Sequence, residues 1–302
     1  MRELSIGKNL TWIILVEPKK KDIETLRARF NIHPIILDEL LAPSDRSKVE
    51  RYDNYVFLVY HLPIYRVAEQ TSRRSEIDCI ATKHAVVTVM YEKLEPLAQL
   101  EQTLMQQPQK NIKTTAQLLY HILEEANNFS VRQLKHVERK VNFFGDQLFS
   151  TKRHDRSFLE TISYIKRDLL DFSIIAIPQQ TTLESLVETG VKFWGEQHRV
   201  YFVDLVGGFM KIQLLLGNLK ATIDSYSETI SQLFEFKTSE IIRRFSILGF
   251  LTFPLILYAT IALQPTVEKS IIRTAHDYWA QLIVIGIFVV TLAAIFRKKG
   301  WL

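Results

Sequence analysis

The chain has 302 residues, 38 basic against 33 acidic side chains, a formal charge of +5, one cysteine and a mean hydropathy near zero. So small a charge excess excludes a nucleic-acid-binding signature, and the lone Cys79 excludes an internal disulfide framework and fits a reducing cytosolic compartment. The near-zero mean hides local extremes, because roughly 240 polar-patterned residues dilute any membrane segment.

Met1 to Leu10 has no long apolar core, so it is no signal peptide, and the soluble part is expected in the cytoplasm. Thr11 to Val16 reads as a short apolar strand ended by Pro18. Lys20 to Phe30 has helical spacing through Ile23, Leu26 and Phe30, and His33-Pro34 starts a second helix carrying Ile36, Leu37, Leu40 and Leu41. Tyr55 to Leu62, Ile77 to Ala81 and Ala85 to Tyr91 are rich in β-formers, with a turn at Lys83-His84. These alternating elements predict an α/β domain with a mixed sheet over 1–110.

From Thr114 the pattern turns to long helices. One is expected to run to Phe149 and another from Asp155 to Ile177, stopping before Pro178, with a short link over Leu183 to Phe193. Together they make a helical hairpin over 111–194. Nothing forces a break from Gly195 to Leu263, although Gly207-Gly208 is a weak spot. A helix of that length is a rod on the order of 100 Å. Its stalk part, 195–244, repeats Ile212, Leu215, Leu219, Ile223, Tyr226, Ile230 and Leu233 at three or four, which suits association between such rods.

Two nineteen-residue runs without a charge follow, 245–263 and 278–296, joined by a loop over 264–277. About 20 apolar residues cross a bilayer, so both are expected to be transmembrane helices of an α+β membrane protein. Arg243 and Arg244 precede the first span, and Arg297, Lys298 and Lys299 open the tail, 297–302. This inner basic cluster predicts cytoplasmic N- and C-termini and a two-span protein of the cell membrane, in contact with lipid. Trp301 at the inner boundary and Tyr278 and Trp279 at the outer one suit aromatic belts. Pro254 falls inside the first span, where a packed or pore-facing helix tolerates it. Ser239, Ile242, Ser246, Gly249, Phe253, Ile256 and Thr260 share one face of that helix. By composition the face is equally a packing seam or a pore lining.

The eight histidines show no metal-ligand spacing. His33 and His61 read as structural, and His276 with Glu268 and Asp277 is a minor candidate for a zinc-attracting group on the outer loop. No catalytic arrangement and no glycine-rich phosphate loop is visible, so an enzyme is not expected.

Three segments carry a family resemblance: LTWIILVEP, FNIHPIILDELL and KVERYDNYVFLVYHLP in the soluble part. SEIIRRFSILGFLTFPLILYA (Ser239 to Ala259) and the ending YWAQLIVIGIFVVTLAAIFRKKGWL complete it. Nearly the whole chain resembles the CorA-type family of divalent metal-ion transporters. The resemblance implies a homopentamer around a central pore lined by the first span, and it favours the pore reading of the stripe. It implies a largely hydrated divalent cation, magnesium first, as cargo, with no cofactor required. It also implies that Asp204, in VYFVDLV, binds regulatory metal between subunits, the plain alternative being a solvated helix charge. One departure stands out. The family's Gly-Met-Asn signature should fall at Leu263, Gln264 and Pro265, and it is absent there. Gln264 or Thr266 offers a substitute polar ring, and the outer loop is close to neutral where the family's is often acidic. Zinc, cobalt or nickel therefore stands as an alternative cargo, and a non-conducting membrane scaffold as an alternative of another class.

Overall fold

In a computed structural model, residues 1–6, 9–69, 71–106, 112–151, 156–262 and 275–299 are described. Six strands form one sheet: β1 (Arg2–Ile6), β2 (Leu10–Val16), β3 (Lys48–Arg51), β4 (Val56–Arg66), β5 (Thr71–Ala81) and β6 (Ala85–Met90). Their spatial order is β1-β2-β6-β5-β4-β3. The β2–β6 pair is parallel and every other pair antiparallel, so the sheet is mixed as the sequence predicts.

Both faces of this sheet are covered, which explains why its inner strands are apolar at successive positions rather than alternately. On one face, α1 (Lys20–Arg29) and α2 (Pro34–Glu39) set Ile23, Leu26, Ile36 and Leu37 against Ile13, Phe57, Val59 and Val87. The other face turns to α3 (Glu95–Gln106), α4 (Thr115–Ser150) and α5 (Arg156–Trp194). There the Tyr60 hydroxyl donates to Asn127 Oδ1 of α4 at 2.6 Å, and the His61 N–H donates to Gln179 Oε1 of α5 at 3.0 Å. Trp12, fully buried, donates its indole N–H to Thr88 Oγ1 at 3.0 Å across the parallel pair. His33 and His61 are both structural: the first caps α2 by accepting from Ile35 N–H, and the second is buried against Glu76.

The helical hairpin departs from expectation at Pro178. α5 does not stop at Ile177, and Leu183 to Phe193 is no link; the helix runs unbroken to Trp194. Proline removes one backbone hydrogen bond at a cost of about 3 kcal/mol. Burial of Ile175, Ala176, Leu183 and Leu186 around it offsets this, with Gln179 and Thr182 side chains bonded to the carbonyls of Ile175 and Pro178. The chain turns instead at Gly195, whose φ of 97° lies in the left-handed region where glycine is at no disadvantage. α6 then runs from Arg199 to Ala262, straight through Gly207-Gly208, and α7 from Ala275 to Lys298. The chain divides into two compact units, Met1–Ser227 and Glu228–Leu302. α6 contributes its beginning to the first and its end to the second.

Candidate functional site

Beyond Arg243 and Arg244, α6 carries no charged residue through Ala262. Among the described residues it holds the one helix long and apolar enough to cross a membrane, with mean hydropathy 1.5 and 6% of the apolar window buried. An apolar helix in a soluble core is covered by its own chain. This one is not.

The covering is one-sided. Ile247 is 5% exposed, and Glu240, Leu251, Pro254 and Tyr258 are half-buried. At about 100° per residue these five positions lie within roughly 60° of one another. On α7 the half-buried positions Ile285, Val289, Leu292, Ala293 and Phe296 likewise recur at helical spacing. The rings of Phe250 and Phe296 meet at 6.5 Å between centroids. Each helix thus turns one face to the other.

Ser239, Ile242, Ser246, Gly249, Phe253, Ile256 and Thr260 are all exposed. The stripe is centred roughly 130° around the helix from the buried Ile247. Three of its members, Ser246, Gly249 and Phe253, border a groove closed on its far side by Phe288 and Leu292 of α7. A Cβ added at Gly249, or at Gly286 of α7, meets nothing within 4 Å. Packing within one chain therefore does not require glycine at either position. Three threonine hydroxyls are satisfied inside their own helices: Thr260 donates to Ile256 O at 2.8 Å, Thr252 to Leu248 O at 3.0 Å and Thr291 to Ile287 O at 2.7 Å. Such back-bonding is how a hydroxyl enters an apolar medium without an unsatisfied proton. At Pro254 the missing N–H frees the carbonyl of Phe250.

The basic cluster flanks both helices. Arg243 is exposed, Arg244 pairs with Glu240 at 2.7 Å one turn back, and Arg297 and Lys298 are exposed at the end of α7. Leu263, Gln264 and Pro265 lie outside the described residues, as do Thr266, Glu268 and Trp301.

Asp204 sits exposed on the first part of α6. Its carboxylate accepts from the Tyr120 hydroxyl of α4 at 2.7 Å, and Glu124 offers that hydroxyl a second acceptor at 3.1 Å. Burial, then the adjacent carboxylates, push the Tyr120 phenol well above its ordinary value, so it remains a donor at every physiological pH. His121 contacts Glu124 at 3.1 Å. Among the described residues no group of three or more His, Cys, Asp or Glu side chains is gathered closely enough to hold a metal ion. The sequence reading missed the Tyr120–Asp204 contact, because 84 residues separate the partners and neither carries a local signal.

Comparison with known proteins agrees with this arrangement. Residues 7–261 match the family described as CorA-like Mg2+ transporter protein. The cobalt/magnesium transport protein CorA of Thermotoga maritima is 22% identical over 299 residues, covering 97% of this chain and 83% of that protein. The complete structure of the CorA magnesium transporter from Methanocaldococcus jannaschii superposes with a TM-score of 0.82 at 18% identity, covering 100% of this chain and 95% of that one. The ZntB cytoplasmic domain from Vibrio parahaemolyticus gives 0.62 at 16% identity, covering 76% and 89%. With the family matched over most of its length and the fold shared from end to end, the chain belongs to the CorA-like Mg2+ transporter family.

Proposed function

We propose that the chain is a membrane transporter that passes a divalent cation, magnesium first, through a pore built from several copies of itself. In this reading α6 from Phe245 and α7 are its two spans, both termini are cytoplasmic, and five copies surround the pore. One observation carries the proposal. The seven-residue stripe of α6 is exposed along its whole length, and its glycine has open space before it. We take exposed surface that mixes hydroxyls and a glycine with apolar side chains as surface for a second copy or for water. Ser239, Ser246 and Thr260 then offer oxygens to an ion that keeps much of its hydration, and Ile242, Phe253 and Ile256 form hydrophobic constrictions. The basic cluster at Arg243, Arg244, Arg297, Lys298 and Lys299 anchors the inner membrane face. Asp204 contributes one ligand of a regulatory metal site that another copy completes.

Magnesium uptake into proteoliposomes tests the conducting role. Gly249→Leu is expected to cut uptake at least ten-fold while leaving assembly intact; unchanged uptake removes the stripe from the pore. Asp204→Ala is expected to raise flux at high internal metal, and equal flux removes its sensing role.

A second reading of the cargo rests on the sequence Leu263-Gln264-Pro265, which lacks the family signature, and on the likeness to a ZntB domain. Zinc, cobalt and nickel competing in the same assay decide it. If Gln264→Ala leaves rate and preference unchanged, Gln264 forms no substitute ring at the pore entrance. Absence of any flux supports the non-conducting scaffold instead.

A further inference from the structure

The soluble unit carries a cleft of about 500 Å³ that the transport reading does not use. It opens between the segment Asp45–Val49, strands β4 and β5, and the part of α5 around Pro178. The volume falls in the range of small-molecule sites, roughly 300–1,000 Å³. Its floor holds His61, 5% exposed, whose Nε2 contacts Glu76 Oε2 at 3.0 Å.

The charges on its rim are unbalanced. Arg46, Lys48 and Arg74 line the cleft against one carboxylate, Asp45. Lys48 is committed to Glu39 at 2.9 Å and Glu50 at 3.2 Å. Glu76, the remaining nearby acid, accepts from the Ser44 N–H and from His61. Arg74 is held in place by the carbonyl of Asp45 at 3.0 Å and by its exposed carboxylate at 3.1 Å. Arg46 has no ion pair or hydrogen bond among the described residues. Two guanidiniums therefore face the cleft with a single solvated carboxylate between them.

Hydroxyls line the wall beside these cations. Thr182 donates to Ser47 Oγ at 3.0 Å or to Pro178 O at 3.2 Å, which leaves the Ser47 proton for another acceptor. Thr181 and Ser185 stand one helical turn apart on the exposed side of α5. Guanidinium forks with hydroxyl donors are the pattern that recognises phosphate oxygens. The opposite side of the cleft is apolar: Ile174, 63% exposed, and Pro178 form a shelf that none of the described residues covers.

We propose that this cleft binds a phosphate-bearing small molecule of nucleotide size, its phosphate on Arg46 and Arg74 and its apolar part on Ile174 and Pro178. Calorimetric titration of the full-length protein in detergent and metal-free buffer tests this, with AMP and inorganic phosphate as probes. AMP is expected to bind below about 1 mM, and phosphate at least ten-fold more weakly. Arg46→Gln and Ser185→Glu should each weaken AMP at least ten-fold. The first removes a charge with no structural partner, and the second places a carboxylate on an exposed, helix-compatible position. Arg73→Gln, one residue along β5 and paired with Glu69, should leave the affinity unchanged. No heat from either probe up to 10 mM overturns the site, as does equal affinity in Arg46→Gln, Ser185→Glu and the parent protein. Phosphate binding as tightly as AMP overturns the apolar shelf and the nucleotide-sized ligand.

Discussion

Trp12 and Phe253 are both large and apolar, and the chain treats them oppositely. Trp12 lies fully buried under helices on the covered sheet, its one polar atom bonded to Thr88, whereas Phe253 is 66% exposed on α6. The same contrast holds between the units: Phe57, Leu58 and Val59 are fully buried, while Phe250, Ile256 and Val284 are each more than 60% exposed. Hydrophobic stabilisation follows area removed from water. The sheet of the first unit removes its own. The apolar helices of the second leave theirs to lipid, to further copies of the chain, or to both.

The sharpest way to break that contrast is to truncate one residue of each kind. Trp12→Ala should cost about 3–5 kcal/mol of stability, by lost burial and the loss of the donor to Thr88 Oγ1, read as a large fall in the unfolding midpoint in detergent. Crowding is the next lever. A Cβ at Gly190 falls 2.4 Å from the Phe202 ring, so Gly190→Ala should cost about 1–3 kcal/mol. Gly249→Ala, with open space before it, should shift the midpoint by less than the equivalent of about 0.5 kcal/mol. If both substitutions proved equally costly, the two units would not differ in the way described.

A third lever is pH, through a buried carboxyl of the first unit. Burial, then the charge of Glu76, holds the Asp78 carboxyl well above its ordinary value of 3.8, against the opposing hydrogen bond that Tyr91 donates at 2.7 Å. Its Oδ1 is buried with no partner. A carboxyl whose folded value is raised binds its proton more tightly when folded. Its contribution to stability is complete below 3.8 and declines as pH rises from there through the folded value. Asp78→Asn, a neutral mimic, should therefore flatten the alkaline side of the stability profile and raise stability at pH 8; a profile as steep as the parent's would assign that slope to other groups. The smallest expected effect is at Phe253→Ala in detergent, about 0.5 kcal/mol or less, because a residue two-thirds exposed has little burial to lose.

The legible parts of the sequence were those where one physical effect dominates. Helical periodicity gave α4 and α6 to within a few residues, and charge-free length marked the apolar part of α6. Where a local rule competes with packing, the sequence misleads. Pro178 reads as a stop because the cost of proline is local, while the burial that outweighs it comes from strands more than 100 residues away. β3 (KVER) has no apolar run of its own and exists because β4 pairs with it. β1 escaped for the same reason, α3 went unread although Leu97, Leu100 and Leu104 recur at helical spacing, and β5 begins six residues before its apolar stretch, in the polar TSRRSE. The stripe on α6 was visible as a face. The groove that three of its members share with Phe288 and Leu292 of α7 was not, since the partners of a helix cannot be read from its own sequence.

The parallel pairing of β2 with β6 has a consequence for synthesis. The sheet can close only after Met90 has been made, but Phe245 follows about 155 residues later. At roughly 5–20 residues per second, translation takes about 8–30 s to cover that distance, whereas mixed α/β sheets of this size close in milliseconds to seconds. The nascent sheet therefore has time to pair its β-prone strands before the insertion machinery meets the first greasy segment.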